Sequence, residues 1–429
     1  MGNLAKPANR ILFLLCVLVT GAFAGAAVWL FFFAMGHGID FFWTRVPQML
    51  GAASPEFARG PFGFLPYPFI VCLAGGLLIG LYEKVTRVKT DDLNEVMAKV
   101  KRDGGYPYDN LGKLSIAALL PLLFGGSIGP EAGLTGVIAG LCSWVGDRLR
   151  HFGAEFRELT VLGMQAALTA LFTAPIFGFV APLAGSADGD DAAFAATDGE
   201  ITITLPRAQK TVVYGVAIVG GLGTYLVLGQ LFGGGMGMPR FGAMAMGSRE
   251  LALLIPLALA GTACGWVFHA SEQATAAVSR AIGERPVAKA LLAGLLLAAC
   301  GTVLPYTMFA GETQTDLLME NYTSMSAVVL IVTGLVKAAL TPACINLGWR
   351  GGHFFPVIFA GVSLGFGFAV LTGADPGFCV AACTASTMGA VMRQPLMVVG
   401  LLLMCFPLKG VAVMIAAAVI GSAIPLPRR

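Results

Sequence analysis

Charged side chains are scarce in this chain. They make up 12% of its 429 residues, about half the share of an ordinary soluble domain, while 57% of the residues are apolar. That balance excludes a large soluble domain and predicts a protein that lives in lipid. A formal net charge of only +3 offers no basic surface of the kind nucleic-acid binding needs. No G-x-x-x-x-G-K-[ST] segment is present, so transport driven by ATP is not expected. Histidine is rare: His37, His151, His269 and His353 are the four, with no H-E-x-x-H spacing. An enzyme is therefore disfavoured, and neither a metal site nor a cofactor is expected. The nine cysteines lie in apolar stretches without a C-x-x-C pair, Cys379 and Cys383 coming nearest, and read as small core hydrophobes.

What the chain has in abundance is long apolar runs. Ile11–Met35, Phe62–Tyr82, Thr211–Phe232, Leu251–Phe268, Val287–Leu304 and Val328–Ile345 each approach the roughly 20 residues that a bilayer demands. The first continues through Trp29-Leu30-Phe31-Phe32-Phe33, past any small-residue cleavage site, so it reads as a span and not as a signal peptide. The segment Glu83–Lys113 carries seven basic residues, and Lys6 and Arg10 precede the first run. By the excess of Lys and Arg in cytoplasmic loops, both segments are expected inside. The expected setting is a multi-pass protein of a prokaryotic inner membrane with a cytoplasmic N-terminus. Within the basic segment Leu93, Val96, Met97 and Val100 recur at helical spacing, predicting a short amphipathic helix at the membrane surface.

The chain also repeats itself. Gly125-Gly126-Ser127-Ile128-Gly129-Pro130 and Gly351-Gly352-His353-Phe354-Phe355-Pro356 share the pattern G-G-x-x-x-P, each between apolar runs. A second pair follows, Ala174-Pro175 and Gln394-Pro395. Two related membrane halves are implied, residues 1–200 and 201–429, meeting near the polar stretch Gly185–Glu200. Proline favours a first helical turn and glycine permits unusual backbone angles, so each G-G-x-x-x-P reads as a loop that opens a helix with its free N–H groups exposed. Such a start attracts anions. Paired interruptions in two halves of a membrane protein point to a transport site. Glycine and proline that merely allow close helix packing are the plainer alternative.

At these residues the chain resembles the CLC family of chloride channels and proton-coupled chloride exchangers. Val328–Gly365, with Lys337 and Gly352-His353-Phe354-Phe355-Pro356, looks like the family's G-x-F-x-P loop and the helix before it. Gly126–Pro130 looks like its G-R/K-E-G-P loop, and Ala174-Pro175 and Gln394-Pro395 stand in place of its later proline motifs. The resemblance covers roughly Leu114 to Pro425. It implies an all-α inverted-repeat membrane fold with broken helices meeting near the membrane centre. A homodimer with one anion pathway per subunit is also implied. The chain stops at Arg429, soon after the last apolar run, and no soluble regulatory domain is expected.

Departures from the pattern bear on mechanism. Ile128 stands where that alignment puts the gating glutamate, and Ala184-Gly185 where exchangers carry an internal one. The family's G-S-G-I-P loop should fall near Arg87–Asp92, where Lys89 and Thr90 are weak candidates for the pathway. The expected function is passage of a small inorganic anion, chloride by default, by a channel-like or atypically coupled route. The alternatives are a proton-coupled exchanger with a displaced carboxylate, Glu131, and a membrane protein without a pathway. The expected ion contacts are the N–H groups of Ile128, Gly129, Phe354 and Phe355, with Ser127, Pro130, His353 and Pro356 around them. Lys409 is the further candidate. Counting forward from Pro395 puts it where the family has an ion-coordinating tyrosine, whereas a break at Phe406-Pro407 would leave it on a turn or at the interface.

Overall fold

The computed structural model describes residues 7–49, 67–103, 105–149, 159–173, 207–235, 237 and 239–425. Of the sequence features above, His151, Ala174-Pro175, Ala184-Gly185 and Gly185–Glu200 lie outside the described residues. Helices account for nearly all the regular structure among them, and the β contact found there is a single bridge between Gly129 and Gly352.

In chain order the helices are α1 (Pro7–Asp40), carried on by a π-helical turn at Phe41–Arg45 and a last turn Val46–Met49, α2 (Tyr67–Thr86), α3 (Leu93–Asp103), α4 (Leu111–Leu123) and α5 (Glu131–Leu149). Next come α6 (Leu159–Phe172), α7 (Arg207–Phe232), α8 (Ser248–Ile282), α9 (Pro286–Val303) and α10 (Glu312–Asn321). The last five are α11 (Ala327–Asn346), α12 (Phe354–Thr372), α13 (Pro376–Met392), α14 (Pro395–Leu402) and α15 (Val411–Ala423). Among the described residues seven helices are long and apolar enough to cross a membrane. Six correspond to the apolar runs read from the sequence, and the seventh is α12, which the second glycine loop opens. Other apolar helices are shorter, such as Leu111–Leu123 and Pro376–Met392. Helices of that length fall short of the hydrocarbon thickness, which is tolerable only where protein covers their ends.

The chain forms two compact units that alternate along it. One takes the described residues of Met1–His37, Thr90–Ser115 and Ala132–Gly237, the other those of Gly38–Lys89, Ile116–Glu131 and Met238–Arg429.

In the first unit α1, α6 and α7 share a core of Phe13, Val17, Leu162, Ala166, Val213 and Ala217. Small residues let α1 and α7 touch backbone to backbone: a Cβ on Gly21 would sit 2.3 Å from the Ala217 carbonyl oxygen, and one on Gly25 2.0 Å from that of Gly221. Lipid offers no hydrophobic force to join two apolar helices, so close backbone approach has to supply the attraction. Trp29 Nε1 donates to the Gly233 carbonyl at 2.9 Å. The amphipathic helix read from the sequence is α3. Its N-terminus is a reciprocal cap in which the Glu95 N–H donates to Asp92 at 2.7 Å and the Asp92 N–H to Glu95 at 3.2 Å, and it buries Leu93, Val96 and Val100.

In the second unit α12 is central. Of its apolar stretch 83% is buried, against 33% for α9, so α12 is walled by protein whereas α9 keeps an exposed apolar side. Its flanks are close-packed: Gly334 of α11 lies against the Ala360 carbonyl, and Gly361 and Gly365 lie against the α13 backbone at Thr384 and Val380. The Ser363 hydroxyl donates to the Leu330 carbonyl at 2.7 Å. These contacts hold the N-terminus of α12 in a fixed place.

Candidate functional site

Both glycine loops belong to the second unit, and each leaves a helix by a left-handed residue that only glycine adopts without strain. Gly125 has φ +87° after α4, and Gly348 has φ +97° after α11. Beyond Gly348, Trp349 is wholly buried and its Nε1 donates to the Ala290 carbonyl at 2.8 Å, pinning the second loop.

The two loops pair with each other. Gly129 N–H donates to the Gly352 carbonyl at 2.7 Å, and Gly352 N–H returns the bond to Gly129 at 2.8 Å. The Gly129 donor, one of those expected to meet an ion, is thus engaged in joining the loops. A Cβ on Gly351 would stand 2.5 Å from Ile128 Cδ1 and 2.9 Å from the Gly129 carbonyl oxygen, so glycine is required at this approach. Ile128 is fully buried there. The Ser127 and Thr341 hydroxyls lie 3.3 Å apart, and Thr341 donates to the Lys337 carbonyl at 3.0 Å. His353 is the N-cap of α12, its ring against those of Phe268 and Phe354 at 5.7 and 4.8 Å.

Glu131 opens α5 immediately after Pro130, and its side chain folds back over the loops. Its carboxylate occupies the space that a Cβ would need at both Gly129 and Gly352. The Phe354 N–H donates to Glu131 Oε1 at 2.6 Å, and the Phe355 N–H also interacts with the carboxylate. These are first-turn donors of α12 with no partner inside their own helix. A helix start of this kind concentrates roughly half a positive elementary charge. The fully buried carboxylate of Glu131 therefore fills an anion seat made of backbone.

A second set of charges lies beyond these loops. Lys337 stands in the middle of α11 and is fully buried. Its ammonium donates to the carbonyls of Thr307 at 3.1 Å, Met308 at 2.9 Å and Phe309, and lies 5.3 Å from the centre of the Phe359 ring. The Phe309 N–H in turn donates to the Gly125 carbonyl at 3.1 Å, tying this turn to the first loop. Two residues after Phe309, Gly311 takes φ +120° and Glu312 begins α10. Glu312 is buried, and its Oε1 has no hydrogen-bond partner among the described residues. It lies within electrostatic reach of both Glu131 and Lys337. The sequence reading did not single out Glu312. The signal was a lone lysine inside an apolar span together with an acid after a glycine at a helix start.

The remaining candidates are dispersed. Lys89 is more than half exposed and pairs with Glu83 at 3.3 Å. Thr90 is buried, its hydroxyl without a hydrogen-bond partner among the described residues. Lys409 is exposed on the 3-10 turn Leu408–Gly410, which follows Pro407, and α14 has already ended at Leu402. Pro395 opens α14. No group of three metal-binding side chains occurs among the described residues.

Comparison with known proteins bears on this arrangement. The family model described as voltage gated chloride channel matches residues 72–425. Chloride channel protein CLC-e of Arabidopsis thaliana is 22% identical over 387 residues, which cover 86% of this chain and 51% of the plant protein. The chain thus spans about half the length of that relative. The putative ion-transport protein YfeO of Escherichia coli is 24% identical over 334 residues, covering 75% of this chain and 71% of its own. Among solved structures, a CLC-type fluoride/proton antiporter superposes with a TM-score of 0.68 at 18% identity, covering 98% of this chain and 96% of the other. A slow cyanobacterial Cl⁻/H⁺ antiporter gives 0.72 at 16% identity, covering 96% and 93%. At such identities the likeness establishes the fold.

Proposed function

Because the chain belongs to the voltage gated chloride channel family, we propose that it carries small monovalent anions, chloride by default, along a pathway gated by Glu131. The observation that supports this reading is the Glu131 carboxylate seated on the Phe354 N–H at 2.6 Å. An anion arriving at the start of α12 seeks the same donors. The two compete, so the pathway is shut while the carboxylate is ionised and in place. Protonation removes its charge, weakens a charge-assisted bond that is worth about 1.5–3 kcal/mol, and releases the seat.

In this reading the gating acid is reached by moving three residues along the chain. Gly129-Pro130-Glu131 then supplies the glycine-x-glutamate that Gly126-Ser127-Ile128 lacks. Ile128 becomes a packing residue under Gly351. The proton-linked exchanger with a displaced carboxylate is thereby favoured over an uncoupled channel. The protein works as a homodimer with a pathway in each subunit, its N-terminus on the cytoplasmic side of a prokaryotic inner membrane.

Purified protein in liposomes tests the proposal. Anion flux driven by a chloride gradient is expected, accompanied by proton movement and dependent on pH. Flux with no response to pH would leave an uncoupled channel, and no anion flux under any gradient would overturn the reading.

A further inference from the structure

The charges at this site do not balance as written. Glu131, Glu312 and Lys337 are all buried, and with every group ionised the cluster carries a net negative charge. Holding uncompensated charge away from water costs several kcal/mol per ion even after relaxation. The start of α12 offsets part of the charge on Glu131, about half an elementary unit, which falls short of the full unit the cluster lacks, and the side chains of the surrounding elements add little. From α11, Lys337 is the cation, with the thiol of Cys344 on the same helix. From α10 itself, Asp316 is exposed and adds a further negative group. The sequence of α12, from Phe354 to Thr372, contains no titratable side chain, and His353 at its cap lies against Phe268 and Phe354. Lys337 is saturated with three backbone carbonyls, which screen but cannot neutralise it.

We propose that Glu312 is a second proton-binding carboxylate of this site, and that Glu131, Glu312 and Lys337 together hold one proton that resides on one carboxyl at a time. With that proton the cluster is neutral. Two interacting acids share a proton as a pair, and it belongs to neither residue alone. When Glu312 carries it, Glu131 is ionised and sits on the Phe354 N–H, with Lys337 as the balancing charge. In the other state the O–H bond at Glu312 has broken and one at Glu131 has formed, and the negative charge has moved the opposite way. Glu312 is then the ionised partner of Lys337, and the neutral Glu131 loosens its hold on α12. The hydrogen-bonding capacity left open at Glu312 Oε1 is a place for this proton. The proton count follows from charge and burial, whereas its effect on the gate rests on the reading of Glu131 given above.

Infrared difference spectroscopy of the purified protein near neutral pH, without transportable anion, counts buried carboxylic acids by their C=O band. Wild type is expected to show one such band. Glu312→Gln and Glu131→Gln should each lose it, because the one remaining carboxylate is matched by Lys337. Lys337→Met should double it, and Asp316→Asn, on the exposed face of α10, should leave it unchanged. A missing band in wild type, or an unchanged band in folded Glu312→Gln, would overturn the proposal whatever the flux assay gives. In liposomes Glu312→Gln should shift the pH midpoint of anion flux by about one unit or more, about tenfold in proton affinity. An unshifted midpoint there would separate Glu312 from the gate. Absence of flux in wild type would instead count against the transport reading and leave the infrared result to decide the proton.

Discussion

The two loops that share G-G-x-x-x-P do opposite jobs. The loop Gly125–Pro130 delivers a carboxylate, because the residue after its proline is Glu131. The loop Gly351–Pro356 receives it, because the Phe354 N–H that opens α12 donates to that carboxylate and the residue after its proline is the apolar Val357. Sequence similarity between them therefore marks a shared backbone shape and conceals a division of roles. One loop brings the charge and the other brings the field, and the reciprocal bonds between Gly129 and Gly352 keep the two in register.

Forcing the loops apart should have the largest effect. Gly351→Ala would thrust a methyl group against Ile128 and the Gly129 carbonyl, an overpacking that costs about 1–3 kcal/mol. Anion flux should be lost with the fold retained; wild-type flux in liposomes would show that the loops need not pair. Removing only the charge comes next. Glu131→Gln should flatten the pH dependence and raise flux at neutral pH by about tenfold, the equivalent of roughly 1.4 kcal/mol of lost competition. An unaltered pH profile would reduce Glu131 to a helix-start acid. Trimming the apolar contact between the loops is milder: Ile128→Val should lower thermal stability by about 0.5–1.5 kcal/mol while leaving the pH profile in place. A displaced profile would mean that Ile128 touches the ion path. Smallest of all, Lys409→Met on its exposed turn should change stability by less than about 0.5 kcal/mol and leave anion affinity near wild type. A large loss of affinity would restore Lys409 to the pathway.

Much of this fold could be read from the chain. Apolar runs of bilayer length located six long helices, because a span must satisfy its backbone internally and has little freedom in how it does so. The doubled glycine motif located both loops and the start of α12. The partnership between them was less accessible. That Glu131 reaches the Phe354 N–H depends on the side chain turning back over Gly129, which spacing along the chain does not express. Glu312 and Lys337 lie on different helices, joined through a turn in which Phe309 takes φ +61°. Only the folded chain brings Glu312 within reach of both Lys337 and Glu131. Lys409 teaches the reverse lesson. Counting forward from Pro395 does not say where the helix stops, and α14 ends at Leu402, which leaves Lys409 on the separate 3-10 turn Leu408–Gly410.

The close fit of α1 against α7 has a consequence in time. Trp29 and the Gly233 carbonyl that it bonds are separated by 204 residues, and a ribosome adding about 5–20 residues per second needs roughly 10–40 seconds to bridge that gap. Throughout this interval the first helix waits in the bilayer with the notch at Gly21 and Gly25 vacant. Its own hydrophobicity, and whatever attends the chain during synthesis, must keep that notch from closing on the wrong neighbour until the matching surface at Ala217 and Gly221 arrives.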